Sequence, residues 1–484
     1  MSNSVDNNVK AFFQGTAIFT VASVLTKVAQ ILLLPLISDH LSPEQLGIAD
    51  MIQMLYSFLY PVLVMGFDAA FGAFYFEQSG KEYQRRVFNT IFFHLVCMSG
   101  IAAVGMLFSQ SISQFLFHSP AYAEGILVSL LTLMVCLWIV PFSQYLRMEK
   151  RMKAFSAVTL VGSFTLLMAN FFFVVYAQWG YFALVISIFL SYVIQLFLFF
   201  LLVRPRLSLS YIDCALYRRI LRYALPLVPM LIIGWALQMS DRFLLNRMVG
   251  DVEVGLYGVA ARFQTILTMA TSVIFTTFSA FAFSSRNEKQ AAESFRLVHN
   301  LLHSILFLAA FTASLFAENL LSRFINAAYF RAAPAVAPLL FGQVCYASHT
   351  IFSYGFAFEK KSYLNLLPTG LGATVNIALN LILIPRYGAV AAAYTTFIGY
   401  ALMMLVTYGL AKRVYPCHYD LLPTLMSLFW GMGISVWFAS AGLTIKFVLL
   451  FVTVLGMFVL YRHTIAQTIA MAKRMKDGQD GNGV

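Results

Sequence analysis

Apolar runs of about 20 residues recur along almost the whole chain, and this fixes its class. A helix rising 1.5 Å per residue needs about that many residues to cross a hydrocarbon core of roughly 30 Å. Inside the core every backbone amide must be bonded within the protein, so only helices and closed barrels can span it. The runs lack the dyad alternation of barrel strands. The chain is therefore expected to be an all-α polytopic membrane protein. Composition agrees: 60% of the 484 residues are hydrophobic and 11% are charged, against about 45–50% and 25% in soluble domains.

The apolar runs predict fourteen spans, at 12–37, 45–72, 86–108, 122–146, 154–177, 180–203, 217–245, 253–283, 297–317, 334–357, 362–384, 388–411, 421–441 and 444–462. The loops between them leave no room for a soluble domain. The first run is too long for the core of a cleaved signal and reads as a retained span. The five cysteines form no CxxC and no pair on one outer face, so neither a disulfide framework nor a zinc site is indicated.

Charge placement orients the spans. Of the 32 Lys and Arg residues, 24 fall on the side that holds the N-terminus and 5 on the other. Lys27, Arg262 and Lys446 lie inside spans or at their edges. The positive-inside rule then puts both termini in the cytoplasm, and an inner (plasma) membrane location follows. The formal charge of +12 is accounted for by topology and implies no nucleic-acid surface.

The sequence also repeats. "PLISDHLSPEQLGIAD" (35–50) and "FLLNRMVGDVEVGLYG" (243–258) each close an apolar run, break briefly with polar residues, and reopen at a glycine. Gly47 and Gly255 are 208 residues apart, as are Gly180 and Gly388, while Glu149 and Glu359, and Asn170 and Asn380, are 210 apart. Spans one to six thus match spans seven to twelve: a lobe at 1–206, a second at 207–415, an added helix pair at 416–465 and a tail at 466–484. Six spans per repeat give parallel topology and a pseudo-two-fold axis along the membrane normal, with a site expected between the lobes. Ser42-Pro43-Glu44 reads as a helix start with Pro in its first position.

A charge inside a span costs roughly 2.5–3.5 kcal/mol on insertion scales, so it faces a cavity or a partner. Lys27 and Arg262 sit near the midplane, one in each lobe. Arg242 and Asp241 lie about a turn inside the outer end of the seventh span, with Asp50 and Asp68 near the ends of the second. Gln30, Gln53, Gln238 and Gln264 add neutral polar sites on the same four spans. Two readings stand: a cationic chamber for an anionic headgroup, centred on Lys27, Arg242 and Arg262 with Gln30, Gln53 and Gln238; or ion pairing and ion coupling through Asp50, Asp68 and Asp241. Arg218, Arg219 and Arg222 open the second lobe and either line the cytoplasmic mouth or anchor to anionic lipid. His299 and His303 have a metal-like i, i+4 spacing but no third ligand nearby, and read as an interfacial helix end. There is no nucleotide-binding loop, nucleophile elbow or HExxH, and no cofactor, metal or enzymatic chemistry is expected.

With those residues in view, "LPLISDHLSPEQLGIADMIQ", its echo "DRFLLNRMVGDVEVGLYGVAARF", the Glu-Lys pairs after the fourth and tenth spans, and "NLILIPRYGAVAAAYTTFIGY" resemble the bacterial polysaccharide transporters, the O-unit flippases of the multidrug/oligosaccharidyl-lipid/polysaccharide superfamily. The resemblance covers about 10–465. It implies movement of a polyprenyl-pyrophosphate-linked oligosaccharide to the outer leaflet by alternating access, a basic cavity mapping onto Lys27, Arg242 and Arg262, and partners among polysaccharide polymerases and other assembly proteins. The added helix pair resembles the tail-binding pair of lipid II flippases. A cation-coupled drug exporter of the same superfamily is the alternative, disfavoured because the two deepest charges are basic. A membrane enzyme of polysaccharide assembly is the second, and no large outer loop or buried His/Asp set supports it.

Overall fold

The computed structural model describes residues 33–78, 80–204, 207–285, 291–359, 361–415, 417, 419–462, 464 and 466–467. Among these there is no β-strand, and nine helices are long and apolar enough to cross a membrane. The protein is an all-α, multi-pass membrane protein. In chain order the helices are α1 Leu34–His40, α2 Pro43–Val64, α3 Phe67–Tyr75, α4 Lys81–Leu107, α5 Ser109–Phe117, α6 Ala123–Met148, α7 Met152–Phe171 and α8 Tyr181–Val203. There follow α9 Cys214–Ala224, α10 Val228–Val249, α11 Asp251–Ser285, α12 Ala291–Leu315, α13 Ala317–Phe324, α14 Ala333–Phe358, α15 Leu366–Val414, α16 Leu421–Trp437 and α17 Leu443–Leu460.

Two expected spans are each divided. The run read as one helix over 45–72 stops at Val64, and Met65 (φ 49°) and Gly66 (φ 74°) are both left-handed before α3 begins. Pro61 lies one turn earlier and removes a ladder donor, so the helix is already weakened there. The run read as 217–245 divides at Leu225-Pro226-Leu227, which form a 3-10 turn between α9 and α10. Conversely, the runs at 362–384 and 388–411 follow one another as α15, joined at Gly388. Within α15, Gly372 and Gly399 bring the two arms together: a Cβ on Gly372 would stand 2.9 Å from the Gly399 carbonyl, and one on Gly399 3.0 Å from that of Gly372.

The repeat is visible in the backbone. Gly180 has φ 58° and ψ −138°, and Gly388 has φ 56° and ψ −135°, a conformation open to glycine and closed to L side chains. The short α5 is echoed by α13, each followed by a capped 3-10 turn: Ser119 accepts from Ala121 N, and Asn326 from Ala328 N. Residues 317–333, between two expected spans, thus hold a helix and a turn.

The described chain forms two compact units, Met1–Gly255 and Leu256–Val484. The repeat itself suggests a junction at 206; the first unit runs further because α9 and α10 pack on its helices. In the first unit α6 is the core, with 72% of its apolar window buried against α2, α4 and α8. In the second, α14 plays that part, 89% buried and packed on α12, α15 and α16.

Candidate functional site

The two turns that carry the repeat meet in the first unit. The first begins at Ser42, whose Oγ accepts from Gln45 N at 3.3 Å while Gln45 Oε1 accepts from Ser42 N at 3.4 Å, a capping box with Pro43 in the first helical position. The second begins after Gly250 (φ 99°), with Asn246 Nδ2 donating to Asp251 Oδ1 at 2.6 Å. Four residues into each helix stands a glycine. A Cβ on Gly47 would collide with the Asp251 carbonyl, and one on Gly255 would collide with the Pro43 carbonyl. Each would also stand close to the other glycine's amide nitrogen, 3.0 Å for Gly47 and 3.2 Å for Gly255. Pro43 and Asp251 are themselves 208 residues apart, so the contact is reciprocal: equivalent residues of the repeat touch one another. Only glycine lets two backbones approach this closely.

Further contacts extend this clasp. Trp235 Nε1 donates to Ser57 Oγ at 3.5 Å and its ring lies 4.7 Å from that of Phe58, which fixes α10 along α2. Arg247 Nη1 reaches His118 Nε2 at 2.8 Å and the Phe115 carbonyl at 3.5 Å, at the C-terminal end of α5. Burial holds the Asp251 carboxyl above the usual carboxylate range; the Asn246 bond opposes this and the Glu44 charge adds to it.

The expected cavity residues distribute as follows. Asp50 (half-buried) and Gln53 (exposed) are on α2; Gln238 (exposed), Asp241 (buried) and Arg242 (half-buried) are on α10, the helix packed against it. Arg242 Nη1 lies 2.8 Å from Met239 Sδ. Asp68 is on α3, beyond the left-handed break, within electrostatic reach of Tyr60. Arg262 is on α11 in the second unit, half-buried, and its Nη1 is buried with no hydrogen-bond partner among the described residues. Lys27 and Gln30 lie outside the described residues. Gln264 Nε2 is 3.5 Å from Gln343 Oε1. Arg218, Arg219 and Arg222 are exposed on α9, and Arg219 is paired with Glu77.

His299 and His303 are not an interfacial helix end. Both are buried in the second unit, at 0% and 2% exposure. His299 Nε2 lies 3.3 Å from Ser348 Oγ and His303 Nε2 2.8 Å from Ser427 Oγ. Asn300 between them donates to Asp420 Oδ2 at 2.7 Å and Thr464 Oγ1 at 3.0 Å. The sequence signal was a polar stripe at 299, 300 and 303 inside an apolar run, which calls for polar partners within the fold. Among the described residues no His, Cys, Asp or Glu cluster could hold a metal ion.

Comparison with known proteins fits this architecture. Residues 40–334, more than half of the chain, match the family described as polysaccharide biosynthesis protein. The fold is similar to the lipid II flippase MurJ in an inward closed conformation (TM-score 0.73, 13% identity, covering 93% of this chain and 100% of that one). It is also similar to an inward-facing multidrug resistance MATE family transporter of the MOP superfamily (TM-score 0.65, 15% identity, 81% and 95% covered). A MOP superfamily transporter from Pyrococcus furiosus, noted for reverse polarity of its binding pocket, is similar too (TM-score 0.58, 16% identity, 84% and 95% covered). At these identities the likeness is one of fold. No curated protein matches the sequence.

Proposed function

We propose that this chain, which belongs to the polysaccharide biosynthesis protein family, is a flippase that carries a polyprenyl-pyrophosphate-linked oligosaccharide from the cytoplasmic to the outer leaflet. The observation that carries the reading is the reciprocal contact of Gly47 and Gly255. A transporter built from two repeats needs a seal that each repeat supplies equally and that can part without breaking many bonds. Two glycine-lined backbones meet both needs at the point of contact, because neither glycine has a side chain to disengage.

On this reading the clasp is the outer gate, and the positive-inside count sets its side: both termini are cytoplasmic, in the inner membrane. The repeats act as lobes, 1–206 and 207–415, with 416–465 as an added pair. Lys27, Arg242 and Arg262 supply positive charge for the diphosphate, with Gln30, Gln53 and Gln238 for its polar neighbours. Asp50, Asp68 and Asp241 hold these cations in place or bind a coupling ion. Arg218, Arg219 and Arg222 lie on the cytoplasmic side, beside the mouth. A diphosphate moving through a low-dielectric region needs fixed positive partners, and Arg262, whose buried Nη1 has no hydrogen-bond partner among the described residues, has a donor to offer. Chain elongation outside would fall to a separate polymerase, and the protein itself performs no bond chemistry.

The test is transport of a polyprenyl-diphosphate oligosaccharide in reconstituted vesicles, read by access of an impermeant lectin to the far leaflet. Movement of that lipid, with organic cations left untouched, supports the reading. Movement of organic cations alone would overturn it in favour of an exporter.

A further inference from the structure

The helix α9 has a different design from the spans around it. Its Leu216, Ile220 and Ala224 recur every four residues and are buried against α3 and α4. Arg218 and Arg222 recur at the same spacing on the opposite face and are exposed. The helix starts cleanly: Asp213 Oδ1 accepts from Ala215 N at 2.9 Å and from Leu216 N at 3.0 Å. The strand of chain leading into it is tied to α4, with Ser208 N donating to Asn89 Oδ1 at 3.0 Å and Asp213 N to Thr90 Oγ1 at 3.3 Å. Tyr217 Oη lies 3.3 Å from His94 Nδ1 on the same span. A fixed platform results, and it points its arginines in a set direction.

The three arginines do different work. Arg219 is committed: it pairs with Glu77 and its guanidinium stands 5.5 Å over the Phe74 ring. Arg218 and Arg222 have no ion pair or hydrogen bond among the described residues. Tyr223 and Leu225, next along the chain, are 46% and 52% exposed, and Phe76, next to Glu77, is 63% exposed. A row of cations flanked by exposed aromatic and aliphatic side chains, on a short helix next to membrane spans, has the chemistry of an interfacial surface. The cations suit phosphate groups and the apolar residues suit the upper acyl region.

We propose that α9 is a docking surface for anionic phospholipid headgroups, bound through Arg218 and Arg222, while Arg219 locks the helix to the end of α3. The occupant is set by charge complementarity: two uncommitted guanidinium groups one turn apart can hold one phosphodiester bidentately or two adjacent headgroups. The surface thereby recruits ordinary membrane lipid and is separate from passage of the transported molecule, although both readings place it on the cytoplasmic side.

The test uses the full-length protein, delipidated in detergent and offered equal amounts of phosphatidylglycerol and phosphatidylcholine, with bound lipids counted by native mass spectrometry. The wild type should retain phosphatidylglycerol preferentially. R218Q/R222Q should lose that preference by roughly fivefold per arginine, and R218K/R222K should keep most of it. An unchanged preference in R218Q/R222Q would overturn the proposal. So would retention of a polyprenyl diphosphate with no preference for phosphatidylglycerol, which would assign the arginines to substrate entry. Displacement of the lipid by equimolar inorganic phosphate would also overturn it, by showing a plain anion site.

Discussion

Gly47 and Gly255 face each other backbone to backbone, and each has its Cβ position blocked by the carbonyl of the residue that opens the other's helix, Asp251 and Pro43 respectively. The pairing follows the repeat residue for residue, so one geometric rule serves both sides of the contact.

A methyl group at either glycine should therefore part the turns. The clash is with backbone, which cannot rotate away, and overpacking of this kind costs about 1–3 kcal/mol. G47A and G255A should each raise the reactivity of a cysteine placed at Leu46, which is fully buried beside Gly47. Unchanged labelling rates in both variants would show that the contact is not a seal.

Asp251 should make the clasp sensitive to pH. Its carboxyl is held above the ordinary value of about 3.9, first by burial and then by the Glu44 charge, with the Asn246 bond opposing. A raised carboxyl means that the folded contact favours the proton-bound form. Its stabilising share is complete below the ordinary value and is lost as pH rises through the raised one. Closure, read by the same Leu46 cysteine, should be tighter in acid, and D251N should abolish that dependence. A D251N protein with the wild-type pH profile would assign the effect to Glu44 or Tyr122, the other titratable groups near Asp251.

The sequence made part of this legible. The capping residues at Ser42 and Gln45, the glycine offset of 208 and the all-helical class all follow from local chemistry and periodicity. That the two repeated glycines touch each other did not follow, because an offset reports equivalence and carries no distance. The break at Met65-Gly66 was hidden as well: one non-glycine residue adopts a left-handed conformation that its type does not announce. Pro226 does not announce the division of α9 from α10, because apolar spans tolerate proline. His299 and His303 looked superficial because their partners, Ser348 and Ser427, are distant in sequence.

Asn300 offers a test of that buried cluster. It joins α12 to Asp420, just before α16, and to Thr464, just after α17. N300A would remove both bonds, at about 0.5–1.5 kcal/mol each. A lower thermal unfolding midpoint for the purified protein is expected. Wild-type stability in N300A would mean that water replaces the amide.

Arg262 separates charge from shape. R262A should cripple export while the protein still inserts, and R262K should retain more, because the charge survives although the planar fork is lost. Surface glycan measured in cells at matched protein levels decides this. If R262Q/D241N exports normally, the arginine serves only an ion pair and the headgroup role fails.

Topology is open to the same chemistry. Cysteines at Ser42 and Ser440, both exposed, should react with an impermeant reagent applied to intact cells, and one at Lys81 should not. Labelling at Lys81 would reverse the direction of transport.

The central claim is that the clasp must open for the lipid-linked oligosaccharide to leave. Arg247 and His118 touch at 2.8 Å beside it, so H118C/R247C can be bridged by a reducible bifunctional reagent. In vesicles carrying a polyprenyl-diphosphate oligosaccharide, bridging should stop its appearance in the far leaflet, and reduction should restore it. Transport at the full rate with the bridge intact would contradict the account.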